Sequence, residues 1–243
     1  MKTFVRTLHC TLLLASLVAL ASPLPAIAGG TWGRFAMGVS GLAMDDINNN
    51  TYSFYDFTLD GYNLPDINNG FAMSFSLGYD LSPTVGLGFE WERQYAGTKG
   101  TDVDVTADLD LDANLFLGRL YWRPIHGRSW KVGATVATGP IFSDGKVDVY
   151  RGSSVSYGES ELSGSSFSFE GTALVDYRLT PAVMIQLTAG WRLAKIDEFK
   201  HNKAPVYNED GSRTSLDYTG YVVKLGVVYY FGGRDLETDP DLY

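Results

Sequence analysis

The chain has 243 residues, of which 45% are hydrophobic and 19% charged, and its formal net charge at pH 7 is −9. An acidic chain is repelled by nucleic acid and by anionic lipid headgroups. The charge therefore argues against a nucleic-acid-binding protein and against unaided binding to an anionic membrane surface. The length fits one large domain or two small ones.

Residues 1–28 are predicted to be a secretory signal peptide. Lys2 and Arg6 precede an apolar stretch over residues 11–21, and Ala26-Ile27-Ala28 supplies small residues at the expected cleavage site. The apolar stretch is too short for a transmembrane helix, which needs about 20 residues. Cleavage removes two of the 19 basic residues and none of the 28 acidic ones, so the mature chain carries 17 minus 28, or −11.

Cysteine usage fits an exported chain without disulfides. The single cysteine, Cys10, lies inside the predicted signal peptide. The residues before it, Thr7-Leu8-His9, lack the small side chains that lipid attachment requires, so no lipid anchor is expected. The mature protein must then be held together by its core or by a closed sheet.

Eight segments of the mature chain alternate apolar and polar residues with a period of two, which predicts β-strands. The last, from Tyr221 to Phe231, carries aromatic residues at both ends of its apolar face, as expected of a strand whose outer face meets lipid. No apolar run near 18 residues follows the signal peptide, so membrane crossing requires strands. In chain order the apolar faces contain Phe35, Met37, Val39; Phe71, Met73, Phe75, Leu77, Tyr79; Val85, Leu87, Phe89, Trp91; Leu109, Leu111, Ala113, Leu115, Leu117; Val132, Ala134, Val136; Phe167, Phe169, Ala173, Val175, Tyr177; Val183, Ile185, Leu187, Ala189, Trp191; and Tyr221, Val223, Leu225, Val227, Tyr229, Phe231.

The fourth segment is ambiguous in phase. If Leu109–Leu117 faces lipid, Arg119 falls on the lipid-facing parity, whereas Phe116 and Trp122 fall on the inner one. Either a β-bulge shifts the phase or Arg119 extends its charged end to the membrane interface. The sequence leaves both explanations open.

The connections alternate between short and long. Residues 79–85 and 177–183 share the pattern Tyr-x-Leu-Ser/Thr-Pro-x-Val, which predicts the same tight turn twice, and residues 123–128 form a third short connection. Long polar connections are predicted near residues 44–70, 97–104, 143–166 and 197–217. Strict alternation places all short turns and both termini at one end of the sheet and four long loops at the other.

These turns, the alternating strands and the closing aromatic strand resemble the small eight-stranded outer-membrane barrels of the OmpA, OmpX, OmpW and opacity-protein kind. We therefore predict an all-β fold, a single eight-stranded antiparallel up-and-down transmembrane β-barrel over residues 29–231, followed by a short acidic periplasmic tail over residues 232–243. In the family the final Phe is typically the last residue, whereas here twelve residues follow Phe231. The departure leaves open how strongly the assembly machinery reads this strand.

The resemblance also implies location and partners. It places the protein in the cell outer membrane of the Gram-negative type after export through a cleaved signal peptide, with outer-membrane lipid, lipopolysaccharide and the barrel-assembly machinery as partners. We expect a monomer that does not bind nucleic acid and whose four extracellular loops could contact an external surface ligand. The sequence names no specific ligand.

No residue set predicts catalysis, and we expect no enzymatic activity, no cofactor and no catalytic, cofactor-binding or metal-binding residue. The mature chain has two histidines, His126 in a short turn and His201 in a long loop at the opposite end, and no Ser partner is suggested near either. The enzymatic members of this architecture place catalytic groups at the extracellular rim, where only His201 could serve. A solvated loop histidine is the simpler interpretation.

The aspartates Asp102, Asp104, Asp108, Asp110 and Asp112 resemble a calcium ligand set. Alternation instead points Asp108, Asp110 and Asp112 to one face of a strand, toward the barrel interior. There we expect them to form a buried polar network with basic residues; Asp102 and Asp104 remain weak cation candidates. The predicted basic partners are Arg192, Lys224, Arg178, Lys131 and Arg34.

The first long loop repeats Asp46-Ile47-Asn48-Asn49 as Asp66-Ile67-Asn68-Asn69 and has no basic residue between Asp45 and Gly70. Such an acidic segment beside anionic lipopolysaccharide would need bridging divalent cations. Its aromatic stretch Tyr52–Phe57 is interpreted as a short helix, an extra strand pair or a surface-binding patch.

Three functions remain compatible with the sequence. Because side chains can fill an eight-stranded barrel, the leading hypothesis is a non-enzymatic outer-membrane protein with a structural or surface-interaction role. The alternative is an OmpW-like narrow channel or small-ligand conduit. A third possibility is a soluble exported barrel of the lipocalin type, in which the apolar face would point inward.

Overall fold

The computed structural model describes residues 30–49, 65–102, 105–151, 155–201, 204–205, 207 and 211–231. Within these ranges the chain is built almost entirely of strands, as the alternating pattern predicts. The elements are β1 (Thr31–Gly41), α1 (Asp45–Asn49), β2 (Asn69–Asp80), β3 (Val85–Asp102), β4 (Val105–His126), β5 (Trp130–Arg151), β6 (Val155–Arg178), β7 (Val183–Leu193), β8 (Lys195–Ile196), β9 (Lys200–His201), β10 (Ala204–Pro205), β11 (Leu216–Asp217) and β12 (Gly220–Tyr230).

Eight of these strands close into a barrel. β1 to β7 pair antiparallel with their neighbours in chain order, and β12 pairs with both β7 and β1. A closed sheet leaves no unpaired edge, which is what allows strands to cross a membrane. The predicted fold class is therefore confirmed. None of the helices among the described residues is long and apolar enough to span a bilayer.

The strands are staggered around the barrel. A path of Cα partners that leaves β6 at Ala173 returns to β6 at Ser163, ten residues away (173 minus 163), after passing through Ala189, Val223, Val39, Phe71, Tyr95, Asp112 and Asp144. Such a stagger requires the strands to tilt by roughly 35–45° from the barrel axis. The interior of this barrel is therefore narrow and is filled by side chains.

The two faces of the membrane-spanning strands are assigned as the alternation predicts. On β12, Leu225 is 59% exposed whereas the adjacent Lys224 is 1% exposed. The outward residues of β1, β2, β3, β5, β6 and β7 follow the same rule, with Phe35, Phe75, Phe89, Val136, Phe169 and Leu187 among those exposed. A large apolar outer surface is the reverse of a soluble lipocalin-type barrel, so that hypothesis is excluded.

The predicted phase of the fourth segment is wrong. Leu109 to Leu117 on β4 point into the barrel and are at most 2% exposed, while Leu120 and Trp122 face outward. Pairing between β3 and β4 runs without interruption from Asp102 to Val85, so no bulge shifts the phase at Arg119. Arg119 neither bulges out nor extends to the interface; it is buried in the interior.

Two of the four predicted long loops are strands. The segments near 97–104 and 143–166 are mostly the ends of long strands. β3 has 18 residues, β4 and β5 have 22 each, and β6 has 24. A tilted strand needs only about 9–11 residues to cross a bilayer, so these strands extend well beyond it. The aromatic stretch Tyr52–Phe57, the predicted signal peptide and the predicted acidic tail lie outside the described residues.

The short connections confirm the repeated turn. The amide of Leu81 donates to the carbonyl of Val85 at 2.9 Å, and the amide of Leu179 donates to the carbonyl of Val183 at 3.0 Å. Ser82 Oγ and Thr180 Oγ1 accept from the amides of Val85 and Val183 in the same way. β1 begins and β12 ends beside these turns, since the Asp80 amide donates to the Gly30 carbonyl and the Tyr230 amide donates to the Ala182 carbonyl. The short turns and the barrel termini therefore share one end.

Candidate functional site

The interior of the barrel contains a cage of buried charges. Its acids are Glu90 and Glu92 on β3 and Glu170 on β6, and its bases are Arg34 on β1, Arg119 on β4, Arg192 on β7 and Lys224 on β12. We call these seven residues the central cage. All are at most 4% exposed. They come from six different strands, so the cage ties together most of the barrel.

The central cage is linked by multiple contacts. Arg192 lies 2.7 Å from Glu92 and 2.6 Å from Glu170, and Lys224 lies 2.7 Å from Glu90 and 2.6 Å from Glu92. Arg119 bridges Glu90 at 3.0 Å and Glu170 at 2.7 Å. Each acid therefore faces at least two bases. Such sharing offsets the desolvation cost that makes isolated buried ion pairs weak.

A second layer closes the short-turn end of the interior. Asp80 accepts hydrogen bonds from Trp32, Arg123 and Tyr230, each at 3.0 Å, and Arg123 also pairs with Asp176 at 2.9 Å. Trp32 packs edge-on against Tyr121 at 5.0 Å between ring centroids. These rings belong to an apolar cluster with Leu174, Met184 and Val228. We call this set the lower plug.

A third layer closes the long-loop end. The inward leucines of β4 join Ile141 of β5 in an apolar core, which is covered by residues of α1, β8 and β11 such as Ile47, Ile196 and Leu216. Asp46 fastens this cover, because its carboxylate accepts from the amide of Ser215 at 2.9 Å and from its hydroxyl at 2.6 Å. We call this set the upper plug. Polar cage and apolar plugs together fill the barrel from end to end.

The prediction of which basic residues face the interior is only partly correct. Arg34, Lys131, Arg192 and Lys224 are buried inside the barrel, whereas Arg178 at the short-turn end is half-buried. The predicted acidic partners are wrong: the cage uses Glu90, Glu92 and Glu170. These three lie on the inner parity of their strands in the sequence, so the alternation itself could have identified them.

The aspartates of β4 face away from the interior, because the leucines occupy the inner parity. Asp112 pairs with Arg93 at 2.7 Å and Asp108 with Lys99 at 3.0 Å, both on the outer surface. Asp102 ends β3, and Asp104 lies outside the described residues. Among the residues that the structure describes, no group of three or more His, Cys, Asp or Glu side chains is arranged to hold a metal ion.

The two histidines lie at opposite ends of the barrel, as predicted. His126 ends β4 beside the short turns, where its Nε2 is 3.2 Å from the carbonyl oxygen of Pro83. His201 lies in β9, which pairs with the long-loop end of β6 at Leu162. The structure does not bring them together.

A closed antiparallel barrel with an apolar outer belt and a charged interior defines a transmembrane β-barrel protein. Residues 12–231 match the family model described as the outer membrane protein beta-barrel domain, and the chain belongs to this family. The resemblance seen in the sequence is thereby confirmed. A sequence comparison with curated proteins found no match.

A comparison with solved structures found matches at low sequence identity, and the three described here have TM-scores below 0.5. Ail, the attachment invasion locus protein of Yersinia pestis, is 13% identical with a TM-score of 0.46, and the match covers 84% of this chain and 100% of Ail. OprG from Pseudomonas aeruginosa is 14% identical with a TM-score of 0.46, covering 83% and 96%. A major outer membrane protein from Thermus thermophilus is 11% identical with a TM-score of 0.47, covering 84% and 100%.

Proposed function

We propose that this protein is a non-conducting, non-enzymatic barrel of the outer membrane of Gram-negative type, and that its function lies in the structure it presents outside the cell. Export through a cleaved signal peptide over residues 1–28 and insertion by the barrel-assembly machinery belong to this proposal. So do a monomeric state and contact with outer-membrane lipid and lipopolysaccharide.

The observation that carries the proposal is the filled interior. An ion moving along the barrel axis would have to pass the lower plug, the central cage and the upper plug in turn. Breaking a buried pair leaves an uncompensated charge, which costs about 3–5 kcal/mol. Several cage contacts would have to part together, so thermal fluctuation alone opens such a path rarely.

The extension of the barrel supports an external role. β3 to β6 continue past the lipid-facing belt as a paired sheet with an apolar interior and charged outer residues such as Lys99, Asp108 and Asp110. A rigid surface held beyond the membrane is suited to contact with another molecule. The narrow conduit is the alternative, and it requires the central cage to rearrange.

Planar-bilayer recording tests the two functions. The purified protein should give no large, stable conductance steps under conditions in which a general porin, added to the same bilayer, conducts. Stable steps from the wild-type protein would overturn the proposal in favour of the conduit.

A further inference from the structure

A groove lies on the outer surface of the barrel where the chain leaves the lipid belt. Its volume is about 480 Å³, and it is lined by Asn69, Tyr95, Ala96, Gly97, Asp110 and Asp112. Asn69 is two residues beyond the lipid-facing Phe71 on β2, and Tyr95 is the Cα partner of Phe71 on β3. The groove therefore lies at the level of the headgroups of the outer leaflet.

Three of the lining side chains are held in place by neighbours. Arg93 bonds the carboxylate of Asp112 at 2.7 Å and stacks over the ring of Tyr95, with its guanidinium carbon 4.9 Å from the ring centroid. Asn69 Oδ1 accepts a hydrogen bond from the Tyr221 hydroxyl, which leaves the Asn69 amide group to donate. A ring, a carboxylate and an amide are thus oriented before any ligand arrives.

Asp110 supplies a further acceptor. It makes no hydrogen bond or ion pair with another described residue, whereas its strand neighbours Asp108 and Asp112 are both paired. Partial burial, assisted by the Asp108 and Asp112 carboxylates, raises the pKa of Asp110 above its ordinary value. An acceptor in this environment gains from a ligand that donates hydrogen bonds.

The chemistry of the groove selects its ligand. Carboxylates accept from hydroxyl groups, the amide donates and accepts, and an aromatic ring offers a flat apolar face to the C–H side of a sugar ring. Because Arg93 neutralises Asp112, the carboxylate of Asp110 is the charge in the lining that repels phosphate groups. Building on the proposed outer-membrane location, we propose that this groove binds an unphosphorylated sugar of the lipopolysaccharide that surrounds the barrel.

Isothermal titration tests the groove. The probe is the oligosaccharide released from lipopolysaccharide by mild acid and then dephosphorylated, titrated into the folded full-length chain in detergent micelles. We expect saturable binding that becomes about tenfold weaker in Asp110→Asn, which corresponds to about 1.4 kcal/mol for one lost carboxylate acceptor. Tyr95→Leu should weaken binding as well, because it removes the flat ring.

Asp197→Asn is the matched control, since Asp197 is exposed, does not line the groove and loses the same charge. It should bind like the wild type, and heat-modifiable gel mobility should show that each variant is folded. The proposal is overturned if the wild type shows no saturable binding, or if Asp110→Asn and Asp197→Asn bind equally well. Binding that a chelator abolishes would also overturn it, by assigning the groove to a divalent cation. A failure here would leave the conductance result, and with it the proposed closed barrel, untouched.

Discussion

The single carboxylate of Glu170 contacts three basic side chains of the central cage. Replacing Glu170 with Gln tests whether the cage stabilises the barrel. Its carboxylate lies 2.6 Å from Arg192, 2.7 Å from Arg119 and 3.5 Å from Lys224. The substitution keeps the size and a hydrogen-bonding amide but leaves two acids against four bases. An uncompensated charge in a buried site costs about 3–5 kcal/mol.

The expected cost for Glu170→Gln is about 3 kcal/mol, the lower end of that range, because each base retains a partner. Arg192 is still paired with Glu92, Arg119 with Glu90, and Lys224 with both of these glutamates. Urea-induced unfolding of the protein in lipid vesicles, followed by tryptophan fluorescence, measures the free energy. Removing a charge of opposite sign as well, in Glu170→Gln/Arg192→Gln, should recover part of the loss.

Glu198→Gln is the matched control for this experiment. Glu198 also has two basic neighbours, Lys200 at 3.3 Å and Arg213 at 3.1 Å, but its side chain is 42% exposed. Exposed ion pairs contribute about 0–1 kcal/mol. If Glu170→Gln costs no more than Glu198→Gln, the central cage does not stabilise the fold and the reasoning from burial is refuted.

Two further substitutions test the lipid face and the upper plug. Leu225→Arg places a charge in the outer belt and should lower the free energy of unfolding in vesicles by about 2–4 kcal/mol. Tyr207→Arg, at a comparably exposed site outside the belt, is the control and should change it little. Equal losses in the two variants would contradict the assigned membrane face. Burial raises the pKa of Tyr218 above its ordinary value of 10.0, so the unfolded chain ionises first and stability falls as the pH rises above about 10. Tyr218→Phe removes the hydrogen bond with Ser143 and should lower the free energy of unfolding by about 1 kcal/mol near pH 8. In the same unfolding assay the stability of this variant should fall less steeply with rising alkaline pH than that of the wild type. An unchanged alkaline slope would contradict the assignment of this pH dependence to Tyr218.

The strand pattern predicts the barrel because lipid and a narrow interior impose opposite chemistry on alternate residues. On β12 this rule holds along its whole length, from Tyr221 to Tyr229 outside and from Val222 to Tyr230 inside. This strand is 11 residues long, about the length that a bilayer crossing needs. Its outward side chains meet one environment, so one phase describes the whole strand.

β4 fails the same rule because it continues beyond the membrane. Near the short turns, its outward residues are apolar and its inward residues include Arg119 and Arg123; toward the long-loop end, the inward residues are leucines and the outward ones are aspartates. From Leu109 to Arg123 the backbone phase is constant, and the change lies in the environment on the outer side, from lipid to water. Taking the apolar residues from Leu109 to Leu117 as lipid-facing necessarily places Asp108, Asp110 and Asp112 in the interior, whereas they lie on the outer surface.

The partners in the central cage could not be derived from alternation, because parity gives the face of a residue but not its height. Arg192 and Glu92 are 100 positions apart in the chain. They meet because the ten-residue stagger brings the upper part of β7 to the same level as the middle of β3. The inward direction of Arg192 and Lys224 is local information, whereas the choice of acid depends on the closure of the whole barrel.

The central cage and the extended sheet outside the membrane have a common physical basis. Ion pairs strengthen as water is excluded, and a buried network gains only if both of its ends are dry. The lower plug closes one end with Trp32, Tyr121 and Tyr230. Closing the other end requires apolar side chains above the cage, and the inward leucines of β4 supply them only if β4 and its neighbours continue past the lipid belt. The extension that presents the outer surface therefore also seals the interior, so substitutions that loosen the upper plug should weaken the cage beneath it.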